Sequence, residues 1–228
     1  MANVAAIYNP VPEAPADWAD PQAARRPVWQ ARYLAGLDPL AALGTALRRQ
    51  GGQVGMDAAQ RWIALSDGGS GLEDFLAKNS ARVEAVILDF WHAAEYLGEW
   101  SQALHPADAN VAETWRSTWG HRLKPEGGQA VLDGLTALAV PRRARACWDK
   151  VRTYFANQVH RMDDPRDRAN GWQSGSGPVE SAWKRVVGQR LKGAGMRWGE
   201  DGAHAVCPLR ALFLSEKGLW EAFWTYAN

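Results

Sequence analysis

The sequence predicts an α/β fold with parallel strands, and three observations carry that prediction. Two short, largely apolar runs, Trp62 to Leu65 and Val83 to Leu88, have the length and bounding residues of buried strands. Gly71 to Asn79 between them reads as a short helix, and Phe90 to Trp100 after them reads as another. Each strand runs out at an aspartate, Asp67 in Ser66-Asp67-Gly68-Gly69 and Asp89 before the second helix. Strand, helix, strand, helix at this spacing indicates one layer of helix on a sheet with parallel strands.

Taken in order, the apolar run Val4 to Tyr8 predicts a first strand, and Pro10, Pro12, Pro15, Pro21 and Pro27 make the next segment an irregular arm. A strand that starts so abruptly leads to the expectation of a core truncated at its amino end. From Val28 to Gln50, Leu34, Leu37, Leu40, Leu43 and Leu47 recur at three- and four-residue spacings, which predicts a helix closed by Gly51-Gly52. The two strands and their helices come next. From 101 to 170 only helical periodicity remains, clearest over Gln129–Val140 and Arg142–Met162, with punctuation at His105-Pro106, Pro125 to Gly128 and Pro141. Arg142 to Arg161 carries six basic residues and one acidic, a positive face. Met162 to Gly177 is polar and rich in Asp and Gly, and is expected to be a loop. The expected division is 1–96 as the first part of the core, 97–170 as an all-helical insertion, and 171–228 as closing helices.

Those closing helices start at a distinctive stretch. Gly175 and Gly177 suit an open turn, Pro178 fits the first helical position, and Ser176 or Gly177 would be the N-cap. Glu180 then falls in the first turn, where the helix dipole favours a carboxylate. Downstream, Lys184, Arg185, Arg190, Lys192 and Arg197 lie between Ser181 and Trp198 with no acidic residue among them. Asp201 to Leu214 reads as a helix despite Pro208, and Leu219 to Tyr226 as a short aromatic one.

Composition sets outer bounds. Length 228 supports one good core, and a net charge of +1 excludes a polycation, so affinity for nucleic acid must come from local clusters. Two distant cysteines, Cys147 and Cys207, without a CxxC pair, exclude a disulfide framework or a cysteine zinc site and fit a reducing compartment. No run approaches the roughly 18 apolar residues that a membrane span requires. A cytoplasmic protein without membrane contact is expected.

Three constellations could carry chemistry. Asp67, Glu180 and Asp89 occupy strand ends and a helix start, the places where α/β sheets build sites. If they converge, hard oxygen ligands of this kind suit Mg2+ or Mn2+, and two such ions could clamp a phosphodiester. His92 and Glu95, one turn apart in LDFWHAAEYL, could join Asp89 at a metal, although a structural histidine–carboxylate pair is the commoner use. The third is basic and aromatic interleaving, with Trp183 beside Lys184 and Arg185, then Arg190, Lys192 and Arg197 beside Trp198, suited either to DNA phosphates or to a solvated face. No nucleophile elbow and no P-loop is present.

RWIALSDG, ILDFWHAAEYL and GSGPVESAWKRVVGQRLKGAGMRW, followed by AHAVCPLRAL, resemble the carboxyl-terminal part of bacterial insertion-sequence transposases of the ISKra family, over about Ala5 to Leu214. The resemblance implies the DDE class: an RNase H-like mixed-sheet core, three acidic residues holding two Mg2+ or Mn2+ ions, and cleavage and joining of DNA at transposon ends and target. It matches Glu180 to the closing glutamate and Asp67 to the second aspartate, with metal held by Asp67 and Glu180. Asp89, only 22 residues after Asp67, is favoured as a supporting residue, with His92 and Glu95 beside it. Lys184, Arg185, Arg190, Lys192 and Arg197 would contact the DNA backbone. The first aspartate of such a triad would lie upstream of Val4, so the chain by itself is expected not to cut DNA. The expected partners are DNA and further copies of the chain. The alternative reading is a catalytically inactive remnant that binds DNA or a partner.

Overall fold

The computed structural model describes residues 2–9, 31–69, 71–175, 177–216 and 218–227 as a mostly helical α/β protein with two small sheets. In chain order its elements are β1 (Asn3–Tyr8), β2 (Ala31–Gly36), α1 (Leu40–Gln53), β3 (Trp62–Ser66), α2 (Leu72–Asn79), β4 (Val83–Leu88), α3 (Phe90–Leu104), α4 (Ala109–Thr136), α5 (Arg145–Gln158), α6 (Asp164–Ala169), α7 (Gly177–Trp183), α8 (Gln189–Leu191), α9 (Glu200–Leu214) and α10 (Leu219–Ala227). The predicted proline-rich arm and the Ser176 cap lie outside the described residues. The chain divides into two units, Met1–Ala59 with Gly177–Asn228, and Gln60–Ser176.

In the first unit β1 and β2 pair antiparallel, Val4 opposite Ala35 and Tyr8 opposite Ala31. Strand β2 corrects the predicted helix from Val28. The leucine spacing continues across Pro39, but a proline pushes the residue before it out of the helical region, so the helix begins only at Leu40. The residues before it find a partner in β1 instead. Helix α1 then passes through Gly51-Gly52, the expected stop, because Gly51 is buried against Met56, whose Sδ would lie 3.4 Å from a Cβ there. α9 packs on β2, tied at its end by the Tyr33 N–H donating to Ser215 Oγ (3.0 Å), the Glu216 N–H to the Ala31 carbonyl (3.0 Å) and the Arg32 fork on Glu216 (2.9 and 2.7 Å). Ala35, Val186, Val187, Cys207 and Ala211 form the core of this unit.

The predicted basic helix is interrupted. α7 relaxes into five residues of π-helix, Lys184–Gly188, and helical structure ends with α8 at Leu191. Gly193 and Gly195 follow, the latter at φ 78°, so Arg197 and Trp198 lie beyond the helix.

In the second unit β3 and β4 pair parallel, as the strand–helix–strand pattern predicts. α2 joins them, with Glu73 and Asp74 in its first turn and Lys78 in its last, each sign at the end the dipole favours. After β4 every described element of this unit is helical. Leu97, Trp100, Leu123, Val131, Leu135, Val151 and Phe155, all at most 1% exposed, make its core.

Two details differ from expectation. Pro125 to Gly128 kinks α4 rather than ending it: Gly127 takes φ 80°, ψ 170°, and the Gly128 N–H donates to the Met162 carbonyl at 2.8 Å. A Cβ at Gly128 would stand 2.4 Å from that of Met162, so the glycine permits the approach. The expected loop after Met162 contains α6, which Asp163 caps by accepting the Arg166 N–H and which has Pro165 in its first turn. Among the described residues no helix is long and apolar enough to cross a membrane.

Candidate functional site

The parallel register places Ser66 opposite Leu88 at the carboxyl ends of β3 and β4. Asp67 and Asp89 are the next residues of each strand, so they emerge side by side at one edge of the pair. The Asp89 N–H donates to the Ser66 carbonyl at 2.9 Å and makes the last rung between them. Their environments differ. Asp67 is exposed, and its Oδ1 accepts the Gly69 N–H at 3.0 Å within the glycine turn. Asp89 is 7% exposed and is the N-cap of α3, with Oδ1 accepting the Trp91 N–H at 3.3 Å. Capping is structural work.

Gly68 links this edge to α5. It sits at φ 77°, and a Cβ there would meet Leu88 Cδ1 at 2.8 Å and Tyr154 Oη at 3.3 Å. Gln158 Nε2 donates to the Gly68 carbonyl at 3.3 Å. Burial pushes the Tyr154 hydroxyl well above the usual phenol range, reinforced by Tyr96 and by the charges of Asp67 and Asp89, with Arg161 opposing. The phenol is therefore neutral, its ring stacked on Tyr96 at 3.7 Å. His92 lies against both tyrosine rings and holds Glu95 at 3.2 Å, the pair expected from their spacing.

Glu180 lies in the first turn of α7, exposed, with Lys184 Nζ at 2.7 Å from its Oε1. Lys192 Nζ sits 4.6 Å from the Trp183 ring, and Arg185, Arg190 and Arg197 are exposed. The structure thus brings together Asp67 with Asp89, His92 with Glu95, and Glu180 with Lys184. Asp67 and Glu180 belong to different units. Among the described residues no group of three or more His, Cys, Asp or Glu could hold a metal ion. Asp67 and Glu180 have the hard oxygens that Mg2+ or Mn2+ prefers, and both are exposed, so they fit in donor type.

Sequence reasoning missed three charged residues. Arg161, expected on a positive face, is 3% exposed and lies beneath the strand ends. Asp164 and Asp167 are buried on α6 within the expected loop. Burial raises the Asp164 carboxyl above the usual range, against the pull of a Ser174 hydrogen bond and of Lys124. Burial likewise raises Asp167, whose Oδ1 takes the Arg166 fork at 3.2 and 3.0 Å. The only sequence signal is the capping pattern Asp163-Asp164-Pro165, which marks a helix start but not its burial.

The sign of the Asp164 shift sets a pH dependence. A carboxyl whose folded pKa is raised binds protons more readily when folded, so it favours folding below its unfolded pKa and that contribution is lost as pH rises through the folded value. Asp164→Asn keeps a partner for Ser174 and removes the charge. The variant is expected to melt above the wild type at pH 7, with the gap closing as pH falls through the ordinary carboxylate range; thermal melts from pH 4 to 8 check this.

Compared with known proteins, the chain matches no family model, no curated protein and no solved structure.

Proposed function

We propose that this chain is part of a DDE-type transposase with an RNase H-like core, acting in DNA transposition of an insertion sequence, with Asp67 and Glu180 as two of its acidic residues. The observation that carries the reading is the placement of Asp67, exposed, beside Asp89 at the carboxyl ends of two parallel strands. That edge is where sheets of this class hold their reacting groups. Mg2+ or Mn2+ is the proposed cofactor, to which Asp67 and Glu180 each offer a carboxylate, and when bound it would stabilise charge developing on phosphodiester oxygens. Asp67 would orient its carboxylate through the Gly69 N–H, and Asp89 would fix the start of α3 and the neighbouring strand end. Arg185 and Arg190, exposed on the segment after Glu180, would contact DNA phosphates.

A second reading, an inactive module that binds DNA or a partner, is favoured by the ion pair that Lys184 makes to Glu180. One experiment separates the two. The purified chain is incubated with Mg2+ or Mn2+ and DNA carrying the element's ends. Cleavage or joining that disappears in Asp67→Asn and in Glu180→Gln supports the transposase, binding without cleavage supports the module, and neither binding nor cleavage removes both.

DNA binding has its own expectation. Arg185→Ala with Arg190→Ala should weaken binding about equally across sequences and flatten the dependence of log K on log salt by about two units. A salt titration with an unchanged slope would assign both side chains to a solvated face.

A further inference from the structure

We infer that Arg161 is a positioning residue, which clamps the carboxyl ends of β3 and β4 together and so sets where Asp67 and Asp89 stand. The inference rests on the proposed reading only for why those two carboxylates matter. Arg161 follows α5 and is 3% exposed, yet no carboxylate among the described residues lies within ion-pair distance of it. Its fork is spent on the two strand ends and on the Gln158 side chain. Nη2 donates to Ser66 Oγ, with the Ser66 and Ile87 carbonyls each at 3.5 Å, so one nitrogen addresses both strands. Nη1 donates at 2.9 Å to Gln158 Oε1, and Gln158 in turn reaches the Gly68 carbonyl. The guanidinium therefore holds the residue before Asp67, the residue after it through Gln158, and the strand that leads to Asp89.

A buried cation is costly unless something is gained from it. Burial pulls the Arg161 pKa down, while Glu73, Tyr154 and Asp67 pull it back up, so its charge faces the acidic edge it supports. A core made only for stability would place an apolar side chain here. A lysine could supply the charge but not a planar fork that reaches Ser66, Ile87 and Gln158 at once.

The test uses the full chain with carbon-13-labelled aspartate carboxyls. Arg161→Lys and Ser66→Ala are both conservative, and circular dichroism establishes that each is folded. The expected result is that the Asp67 and Asp89 carboxyl signals move in both variants and that the Asp89 amide exchanges with solvent about tenfold faster. In Arg161→Ala, added methylguanidinium is expected to return the signals toward their wild-type positions, while methylammonium does not. Carboxyl signals that stay in place in folded Arg161→Lys and Ser66→Ala would overturn the inference, even if the melting temperature fell, because that pattern belongs to a merely structural residue. Equal rescue by methylammonium would overturn it too, since charge alone would then suffice. If the wild-type chain shows no metal-dependent action on DNA, the functional reading falls while the carboxyl signals still decide the clamp.

Discussion

Phe155→Ala is expected to lower the stability of the chain by about 3–5 kcal/mol, the usual cost of emptying a buried phenylalanine site. Phe155 is fully buried at the centre of the second unit's core, among Trp100, Val131, Leu135, Trp148 and Val151. Its ring meets Tyr154 edge-on at 6.0 Å, so its removal loosens the tyrosine behind Gly68 as well. The surrounding side chains come from several helices, which cannot collapse together into one gap, and the cavity term should approach its upper range. A domain of this size is stable by only about 5–15 kcal/mol, so the loss is a large share of the whole. Urea unfolding followed at the core tryptophans would show it as a lower midpoint; a shift worth less than about 1 kcal/mol would mean the packing around Phe155 is looser than its burial implies.

Gly68→Val is expected to cost about 2–5 kcal/mol, as the sum of two separable effects. An L residue at φ 77° loses about 1–2 kcal/mol of backbone energy, more when β-branched. The added Cβ would also stand 2.8 Å from Leu88 Cδ1, and Leu88 is itself buried, so overpacking adds about 1–3 kcal/mol. Gly71→Val isolates the first effect, because φ there is 79° and nothing lies within 4 Å of its Cβ. The difference between the two variants in a denaturant titration measures the clash, and equal losses would refute it. Gly68→Val should also displace Asp67, so any metal-dependent action on DNA should fall further in it than in Gly71→Val.

Much of this edge is legible in the sequence, because local chemistry decides it. Apolar runs that stop at Asp-Gly and at Asp before a helix specify both the strands and the carboxylates at their ends. The capping role of Asp89 comes from the structure. Where prediction fails, the deciding partner is distant along the chain. Strand β2 holds Leu34, the first of the leucines at helical spacing, and its pairing with β1 makes it a strand. Arg161 belongs by composition to a basic face, and no local pattern says that one arginine of six basic residues turns inward to meet Ser66, 95 residues away. The Glu180–Lys184 pair is the opposite case. Its i, i+4 spacing is plain in the sequence, yet each residue by itself suggests a function, and the ion pair joins the two.

The described tryptophans differ between the two units in how far they are enclosed. Trp100 and Trp148 are almost completely enclosed in the second unit, whereas Trp198 and Trp224 of the first unit are 42% and 44% exposed. Opening the second unit transfers indoles from an apolar core to water and should shift emission strongly to the red. Opening the first changes the surroundings of its exposed indoles far less, although it still loses helix. A melt followed by emission colour therefore reports strongly on the enclosed Trp100 and Trp148 of the second unit, and a melt followed by far-ultraviolet dichroism reports on both units. Coincident curves are expected if the two units unfold as one cooperative block, and curves separated in temperature if each melts by itself.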